Sequence, residues 1–130
     1  MLKEKRLEKG IALLKTLSPI LIETKEGKPL LPINDLEIFN REFNAIHDRI
    51  LRDIRGYGLK EPLHFEPLEI KKQVVKHTLR GFRERTGKPY MTLTCFEGFF
   101  RLKGVPEDLQ ALYQVGIGLR TGQGFGMVDV

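Results

Sequence analysis

The chain has 130 residues, 41% of them apolar and 30% charged, which fits one globular domain with a core of its own. Its apolar runs exclude a membrane span, because Lys15 and Pro19 interrupt residues 11–22 well short of the roughly 20 residues that a bilayer requires. We therefore expect a soluble, cytoplasmic protein without a membrane partner, whose single cysteine, Cys95, is a small buried core residue.

The net charge of +5 is unevenly distributed along the chain. Residues 69–103 contain nine Lys and Arg against three acidic residues, a local charge of +6, whereas the remainder carries −1. Clustered cations that contact phosphates release condensed counterions and thereby supply sequence-independent affinity for nucleic acid. A solvated basic face would have the same composition, so the charge alone does not decide between the two interpretations.

The first predicted strand is TLSPILIE, residues 16–23, whose aliphatic and β-branched residues favour an extended chain with Pro19 near its start or on an edge. EGKP then predicts a turn. A helix is predicted from Asn34 or Asp35 to Gly56 or Gly58, because apolar residues recur there at steps of three and four. This stripe consists of Leu36, Phe39, Phe43, Ile46, Ile50 and Ile54.

Two extended segments, residues 68–79 and 90–103, flank the polar turn RERTGK and predict a β-hairpin. A bulge near Gly98 in the second segment would divide its side chains between two faces. The predicted buried face carries Met91, Leu93, Cys95, Phe100 and Leu102, and the open face carries Thr92, Thr94, Phe99, Arg101 and Lys103. An exposed aromatic ring beside two cations is suited to binding RNA.

A shorter helix is predicted from Pro106, which suits the first helical position, to Gly116, with Leu109, Leu112 and Tyr113 as its apolar stripe. FGMVDV then predicts a short last strand. This order of elements is typical of an α+β fold, the ferredoxin-like βαββαβ sandwich with two helices on one face of an antiparallel sheet. The predicted domain covers residues 11–130, and residues 1–10 are an N-terminal extension or remnant linker.

The glycine-rich segment GIGLRTGQGFG, residues 116–126, follows a helix and precedes a strand. Walker-type and dinucleotide-binding loops follow a strand and open a helix, so this position argues against mononucleotide binding. Interspersed apolar residues such as Ile117, Leu119 and Phe125 argue against disorder. Two interpretations remain: a tight structural turn, or a concavity of backbone amides that binds an anion beside Arg120.

Four stretches carry a family resemblance: LSPILI at 17–22, FEGFFRLKG at 96–104, LYQVGIG at 112–118 and TGQGFGMVDV at 121–130. Together they resemble the carboxy-terminal half of the CRISPR-associated repeat-RNA endoribonucleases of the RAMP superfamily. The terminus Gly-Phe-Gly-Met-Val is the most specific of these matches. Their order and spacing agree with the family from about residue 11 to the end.

The resemblance implies a ferredoxin-like domain, the second of two in tandem, that binds CRISPR repeat RNA during crRNA processing in antiviral defence. It implies cleavage without a metal or another cofactor, by attack of a ribose 2′-hydroxyl that leaves a 2′,3′-cyclic phosphate, and a glycine loop near the RNA phosphates. The basic hairpin and this loop are the predicted RNA contacts. They comprise Lys71, Lys72, Lys76, Arg80, Arg83, Arg85, Lys88, Arg101, Lys103, Gly116, Gly118, Arg120, Gly122, Gly124 and Gly126.

The catalytic residue is unknown from the sequence. In the family a general-base histidine precedes the LSPI motif, but the residues before that motif here contain no histidine. His47 is expected on the flank of the first helix, and His64 in a loop or at a strand edge. His77 is the leading candidate base, because cationic neighbours would favour its neutral form: Lys72, Lys76 and Arg80.

Three functions remain open at this point. The chain is the RNA-binding half of such an endoribonuclease, as a truncated gene product, an isolated domain or a split subunit, and binds RNA rather than cutting it. Alternatively, it is a complete nuclease whose relocated site forms in a homodimer and uses His77 or His47. The third function is a non-enzymatic ferredoxin-like interaction module. A separate amino-terminal ferredoxin-like half, effector-complex subunits and a homodimer partner are further candidate partners besides repeat RNA.

Overall fold

The computed structural model describes residues 10–77 and 91–130. The elements in chain order are β1 (Ile11–Thr16), α1 (Leu36–Arg55), β2 (His64–His77), β3 (Met91–Lys103), α2 (Pro106–Val115), a short 3₁₀ turn (Thr121–Gln123) and β4 (Val128–Asp129). The strands form one antiparallel sheet in the order β2-β3-β1-β4. This arrangement confirms the ferredoxin-like α+β fold. The predicted extension lies, except for Gly10, outside the described residues and stays a prediction.

The first strand lies earlier than predicted, at residues 11–16 instead of 16–23. Beyond β1, Ile20 makes only an isolated bridge to Phe96, because Leu17 and Ser18 turn away and donate to the carbonyl of Met127. The sequence prediction followed the most aliphatic run, but residues 20–22 are wholly buried and irregular. The better signal was the alternation of buried and exposed residues in IALLK, which marks a strand with one open face.

Helix α1 begins and ends where the sequence predicts. The side chain of Asp35 caps it by accepting from the amide of Ile38 at 3.1 Å, and Gly56 ends it in the left-handed conformation. The predicted apolar stripe is wrong at both ends, because Leu36 and Ile54 are 38% and 57% exposed. The buried residues of the helix are Phe39, Phe43, Ile46, His47 and Leu51.

A row of polar side chains on α1 holds the segment that leads into β2. Asn40, Asn44 and Asp48 follow one another at steps of four, so they share one side of the helix. Their side-chain oxygens accept from the amides of Phe65, Leu63 and Leu59 at 3.0, 2.6 and 2.8 Å, respectively. These bonds satisfy backbone groups that would otherwise be unpaired next to the core.

Strands β2 and β3 form the predicted hairpin, with thirteen paired positions from His64 and Lys103 to His77 and Met91. Its predicted turn lies outside the described residues. The irregularity predicted near Gly98 falls on the partner strand instead, where the register shifts between Pro67 and Glu69. Gly98 has a φ of 136°, and a Cβ at this position would collide with the carbonyl of Glu69, so the close approach of the strands requires glycine.

Four of the five predicted buried residues of β3 are buried, but the prediction that they share one face is wrong, because they belong to two clusters. Phe100 and Leu102 face the main core beneath both helices, whereas Leu93 and Cys95 pack with Leu21 and Phe125 in a second cluster. Cys95 is a buried core residue, as predicted, and burial raises the pKa of its thiol to about 11, so this free cysteine is protonated. The side chain of Met91 is outside the described part of the chain.

Helix α2 has Pro106 in its first turn and Gly116 as its C-cap, and its predicted apolar stripe is buried: Leu109, Leu112 and Tyr113. Its buried Asp108 accepts from the Arg55 guanidinium at 2.6 Å and from the amide of Lys60 at 2.8 Å. These contacts join α2 to the end of α1. None of the helices in residues 10–77 and 91–130 is both long and apolar enough to cross a bilayer.

Candidate nucleic-acid interface

The distal part of the hairpin extends past β1, whose last pair with β3 is Lys15 with Phe99. The part of β2 beyond this pair carries three exposed lysines, Lys71, Lys72 and Lys76, which we call the basic arm. The predicted cations Arg80, Arg83, Arg85 and Lys88 lie outside the described residues. The basic arm is therefore the described part of the cationic cluster at the distal end of the hairpin.

Two further predicted cations lie at the other end of β3. Lys103 is exposed, whereas Arg101 is half-buried and lies 3.4 Å from both carboxylate oxygens of Glu66 on β2. This cross-strand ion pair compensates part of the charge of Arg101. The three lysines of the basic arm are exposed and supply most of the positive charge on the described part of the hairpin.

The three histidines lie on different parts of the fold, two of them at opposite ends of β2. His64 is exposed at the start of β2, and His77 is the last residue of this strand, with a side chain outside the described part of the chain. The thirteen steps between them correspond to roughly 40 Å of extended strand. His47 is fully buried, which corrects the prediction of a residue on the helix flank.

His47 connects α1 to the glycine-rich loop. Its Nδ1–H donates to the carbonyl of Phe43 at 2.7 Å, and its Nε2 accepts from the amide of Gly118 at 2.9 Å. Burial lowers the pKa of His47 to about 4, so the ring is neutral at physiological pH. Because both ring nitrogens are engaged, the ring holds the loop and has no nitrogen available to act as a base on a ligand.

The glycine-rich loop is ordered and tightly turned, as predicted. Four glycines have positive φ: Gly116, Gly118, Gly124 and Gly126. Two of these positions also lack room for a side chain, because a Cβ on Gly118 would lie 2.6 Å from the carbonyl oxygen of Leu21 and one on Gly126 would collide with that of Ile117. At these two positions the chain requires glycine for both reasons.

Most amides of the loop donate within the protein. The amide of Gly118 donates to the His47 ring, and six other amides donate to backbone carbonyls. The donors and their acceptors are Gly116 and Leu112, Ile117 and Gly126, Leu119 and Leu21, Gly124 and Thr121, Phe125 and Arg120, and Gly126 and Pro19. Gly116, Gly118 and Gly126 are also buried. The structure therefore does not offer these three predicted RNA contacts to a phosphate, because they serve the turn.

One section of the loop remains open. The amides of Arg120, Thr121 and Gly122 make no hydrogen bond to another residue within 10–77 or 91–130. Gly122 and Gly124 are exposed, and a Cβ on either would meet open space. The Arg120 side chain donates to Gln123 at 3.1 Å. Any contact of the loop with RNA is thus confined to residues 120–124.

The loop and the basic arm are packed together. Phe125 of the loop lies in the second cluster with Leu93 and Cys95 of β3. Leu119, also of the loop, and Val75 of β2 pack against this cluster. Val75 precedes Lys76 of the arm. This apolar contact fixes the loop against the face of β2 that also carries Lys71, whereas the alternation along the strand places Lys72 and Lys76 on the opposite face.

The sheet also has an open face, opposite the helices, where Leu13 and Phe99 are 57% and 45% exposed. The exposure of Phe99 confirms the prediction for this residue. Its ring borders a shallow cavity of about 430 Å³, lined by Lys15, Thr16, Glu69, Ile70, Lys71, Glu97, Gly98 and Phe99. Sequence reasoning missed Lys15 here, although the alternation in IALLK places it on this face.

Fold and surface define a class of protein: a single ferredoxin-like domain whose cationic hairpin packs beside a glycine-rich loop. The family model for the CRISPR associated protein Cas6, C-terminal, matches residues 2–130, and the chain belongs to this family. A curated relative, the CRISPR-associated endoribonuclease Cas6 of Pyrococcus furiosus, is 33% identical over 118 residues, which cover 88% of this chain and 40% of the relative. The resemblance to a carboxy-terminal half is confirmed.

Solved structures agree with this assignment. The protein of a Cas6-related gene from Pyrococcus furiosus matches with a TM-score of 0.74 at 21% identity, over 97% of this chain and 50% of that one. A RAMP protein described as binding different RNA substrates matches with a TM-score of 0.72 at 24% identity, over 92% and 48%. Both confirm the fold. The chain spans about half the length of these solved relatives.

Proposed function

We propose that this domain binds CRISPR repeat RNA and is the RNA-binding half of a metal-independent repeat endoribonuclease. Family membership supports the class of substrate. The observation that carries the proposal is the basic arm, which consists of three exposed lysines on a hairpin that extends past β1 and against which the glycine loop packs. This is a surface for a polyanion.

The proposed contacts divide between two elements. Lys71, Lys72 and Lys76 contact phosphates, and the remaining hairpin cations extend this contact: Arg80, Arg83, Arg85, Lys88, Arg101 and Lys103. The loop contributes the side chain of Arg120 and the amide of Gly122, whereas the amide of the exposed Gly124 already donates to Thr121. Phosphate contacts position the RNA without reading its sequence, so this surface supplies affinity and register rather than base discrimination.

The proposed role is binding, because cleavage by a 2′-hydroxyl needs a base, an acid and a cation at one phosphodiester bond. The described histidines do not converge, since His47 is buried and engaged, and His64 and His77 lie at opposite ends of β2. We propose that the catalytic groups belong to a second ferredoxin-like domain, in the same polypeptide or in a separate subunit. The homodimeric nuclease and association with effector-complex subunits remain alternatives.

The test is binding of labelled repeat RNA in EDTA across a salt series. Replacing Lys71, Lys72 and Lys76 together with alanine should lower the affinity about tenfold or more and reduce the log–log salt slope by about 2. The matched control replaces three exposed cations elsewhere: Lys25, Lys28 and Arg49. This control should bind almost like the wild type, and equal losses in both variants would contradict the proposed surface.

The same incubation separates the alternatives. Specific cleavage of the repeat in EDTA that is lost in His77→Ala would favour a complete nuclease with a relocated site. If no RNA is retained even at low salt, the non-enzymatic interaction module is favoured. Retention without cleavage supports the proposed binding half.

A further inference from the structure

Phe99 and its neighbours form a second feature of the surface, on the open face of the sheet. The strand register places Phe99 between Lys15 on β1 and Glu69 on β2. Two residues further toward the turn of the hairpin, Lys71 on β2 pairs with Glu97 on β3. Side chains paired across antiparallel strands lie on the same face. Two cations and two anions therefore surround the exposed edge of one aromatic ring.

These four charges are unpaired within the described part of the chain, where the side chains of Lys15, Glu69, Lys71 and Glu97 take part in no ion pair or hydrogen bond. The described ion pairs lie elsewhere, and the one on this face joins Arg101 to Glu66. The group carries no net charge, unlike the basic arm. Its chemistry fits a ligand that offers both a negative charge and hydrogen-bond donors.

The backbone that carries the Phe99 ring is held in place by its chain neighbours. Gly98 donates its amide to the Thr16 hydroxyl at 3.0 Å and approaches the Glu69 backbone too closely for any side chain. Phe100 on the other side is fully buried and stacks on Phe65 with a centroid separation of 4.7 Å. Phe99 is thus presented on a rigid strand, which limits the entropy lost when a ligand stacks on it.

We propose that Phe99, Lys15, Glu69, Lys71 and Glu97 form a subsite for one unstacked nucleotide of single-stranded RNA. The base stacks on the Phe99 ring, the lysines contact its flanking phosphates, and a carboxylate accepts from the exocyclic amine of the base. The cavity of about 430 Å³ lies within the size range of small-ligand sites. This inference rests on the proposed function and adds base recognition to it.

Two observations favour RNA over a protein as the occupant. Lys71 belongs both to the basic arm and to this cavity and lies on the same face as Phe99, so an RNA strand that contacts Lys71 reaches the ring directly. The paired carboxylates also predict a base preference. Adenine, cytosine and guanine each carry an exocyclic amine that can donate to a carboxylate. Uracil has no exocyclic amine and carries carbonyl oxygens, which the carboxylates repel. We expect uridine to bind most weakly.

The direct test uses intrinsic fluorescence, because the chain contains no tryptophan. Phe99→Trp creates a single reporter, which should be quenched in a saturable manner by tetranucleotides of adenylate and cytidylate and much less by uridylate. Ile54→Trp is the matched control, since Ile54 is exposed on the other layer of the molecule. Replacing Glu69 and Glu97 with glutamine in the Phe99→Trp protein should reduce the difference between cytidylate and uridylate.

A second measurement uses the full repeat RNA. Phe99→Ala should weaken binding roughly 5- to 150-fold, as expected for loss of one stacked base, and Phe99→Tyr should restore it. If the wild type binds the repeat but Phe99→Ala binds equally well and Phe99→Trp is not quenched, the subsite is overturned and the proposed function stands. If the wild type fails to bind the repeat while tetranucleotides quench Phe99→Trp, the proposed function fails instead.

A protein partner would give a different result. Under that alternative, Phe99→Ala would change the mass measured by analytical ultracentrifugation and leave RNA affinity unaltered, which would overturn the subsite.

Discussion

The basic arm and the glycine-rich loop lie side by side, and both were predicted to bind RNA, but they use their polar groups in opposite ways. The loop directs the amides of Gly116, Gly118 and Gly126 into the protein, where each already has an acceptor. The arm directs its lysine side chains into solvent. A glycine-rich sequence can therefore reflect a crowded backbone, and the groups available to a partner are found on the strand beside it.

The comparison predicts that substitutions in the loop change stability and substitutions in the arm change binding. The largest expected effect is that of Gly126→Ala, because its Cβ would collide with the Ile117 carbonyl at a φ of 78°. We expect a loss of at least about 3 kcal/mol in the free energy of unfolding, measured in urea. Gly122→Ala is the control and should change it by less than about 0.5 kcal/mol.

The second effect is a dependence of stability on pH. His47 has a pKa of about 4 when folded and 6.5 as its ordinary value, so the unfolded chain binds a proton first as the pH falls. Above pH 6.5 the ring is neutral in both states and protonation does not affect the free energy of unfolding. Between pH 6.5 and about pH 4 protonation of the unfolded chain lowers this free energy increasingly, by about 3 kcal/mol in total. Urea unfolding of wild type and His47→Gln at several pH values measures it; identical pH profiles would contradict it.

A third, smaller effect is expected at neutral pH from His47→Leu. The substitution fills the site with an apolar side chain and leaves the buried amide of Gly118 without an acceptor, which costs about 2 kcal/mol. Hydrogen exchange of the Gly118 amide should accelerate more than that of the core amides on β3. Uniform acceleration throughout the domain would instead indicate a general loss of packing.

The smallest effect on stability is expected from the arm. Replacing Lys71, Lys72 and Lys76 with alanine should change the free energy of unfolding by less than about 0.5 kcal/mol, because these side chains are exposed. The same variant should lose affinity for repeat RNA. A large loss of stability would show that the arm, like the loop, is a structural unit.

Prediction succeeded where the signal lies within a few consecutive residues. Asp35 and Gly56 bound α1, Pro106 opens α2, and the order of the six elements indicates the ferredoxin-like fold. Prediction failed for β1, where the signal was ambiguous. The alternation of buried and exposed residues in β1 is short, and a more aliphatic run follows it that is buried without forming a strand. Only the tertiary structure distinguishes burial from strand formation in that run.

The candidate site divides in the same way. The distribution of charge located the cationic hairpin, and the alternation along the second segment predicted the exposed Phe99, since both are local properties. The sequence could not determine that the loop amides are engaged, because the decisive acceptor of Gly118 is His47, 71 residues earlier in the chain. Nor could it place Lys15 and Glu69 on either side of Phe99, because that contact follows from the register between strands distant in sequence, and only the folded chain sets this register.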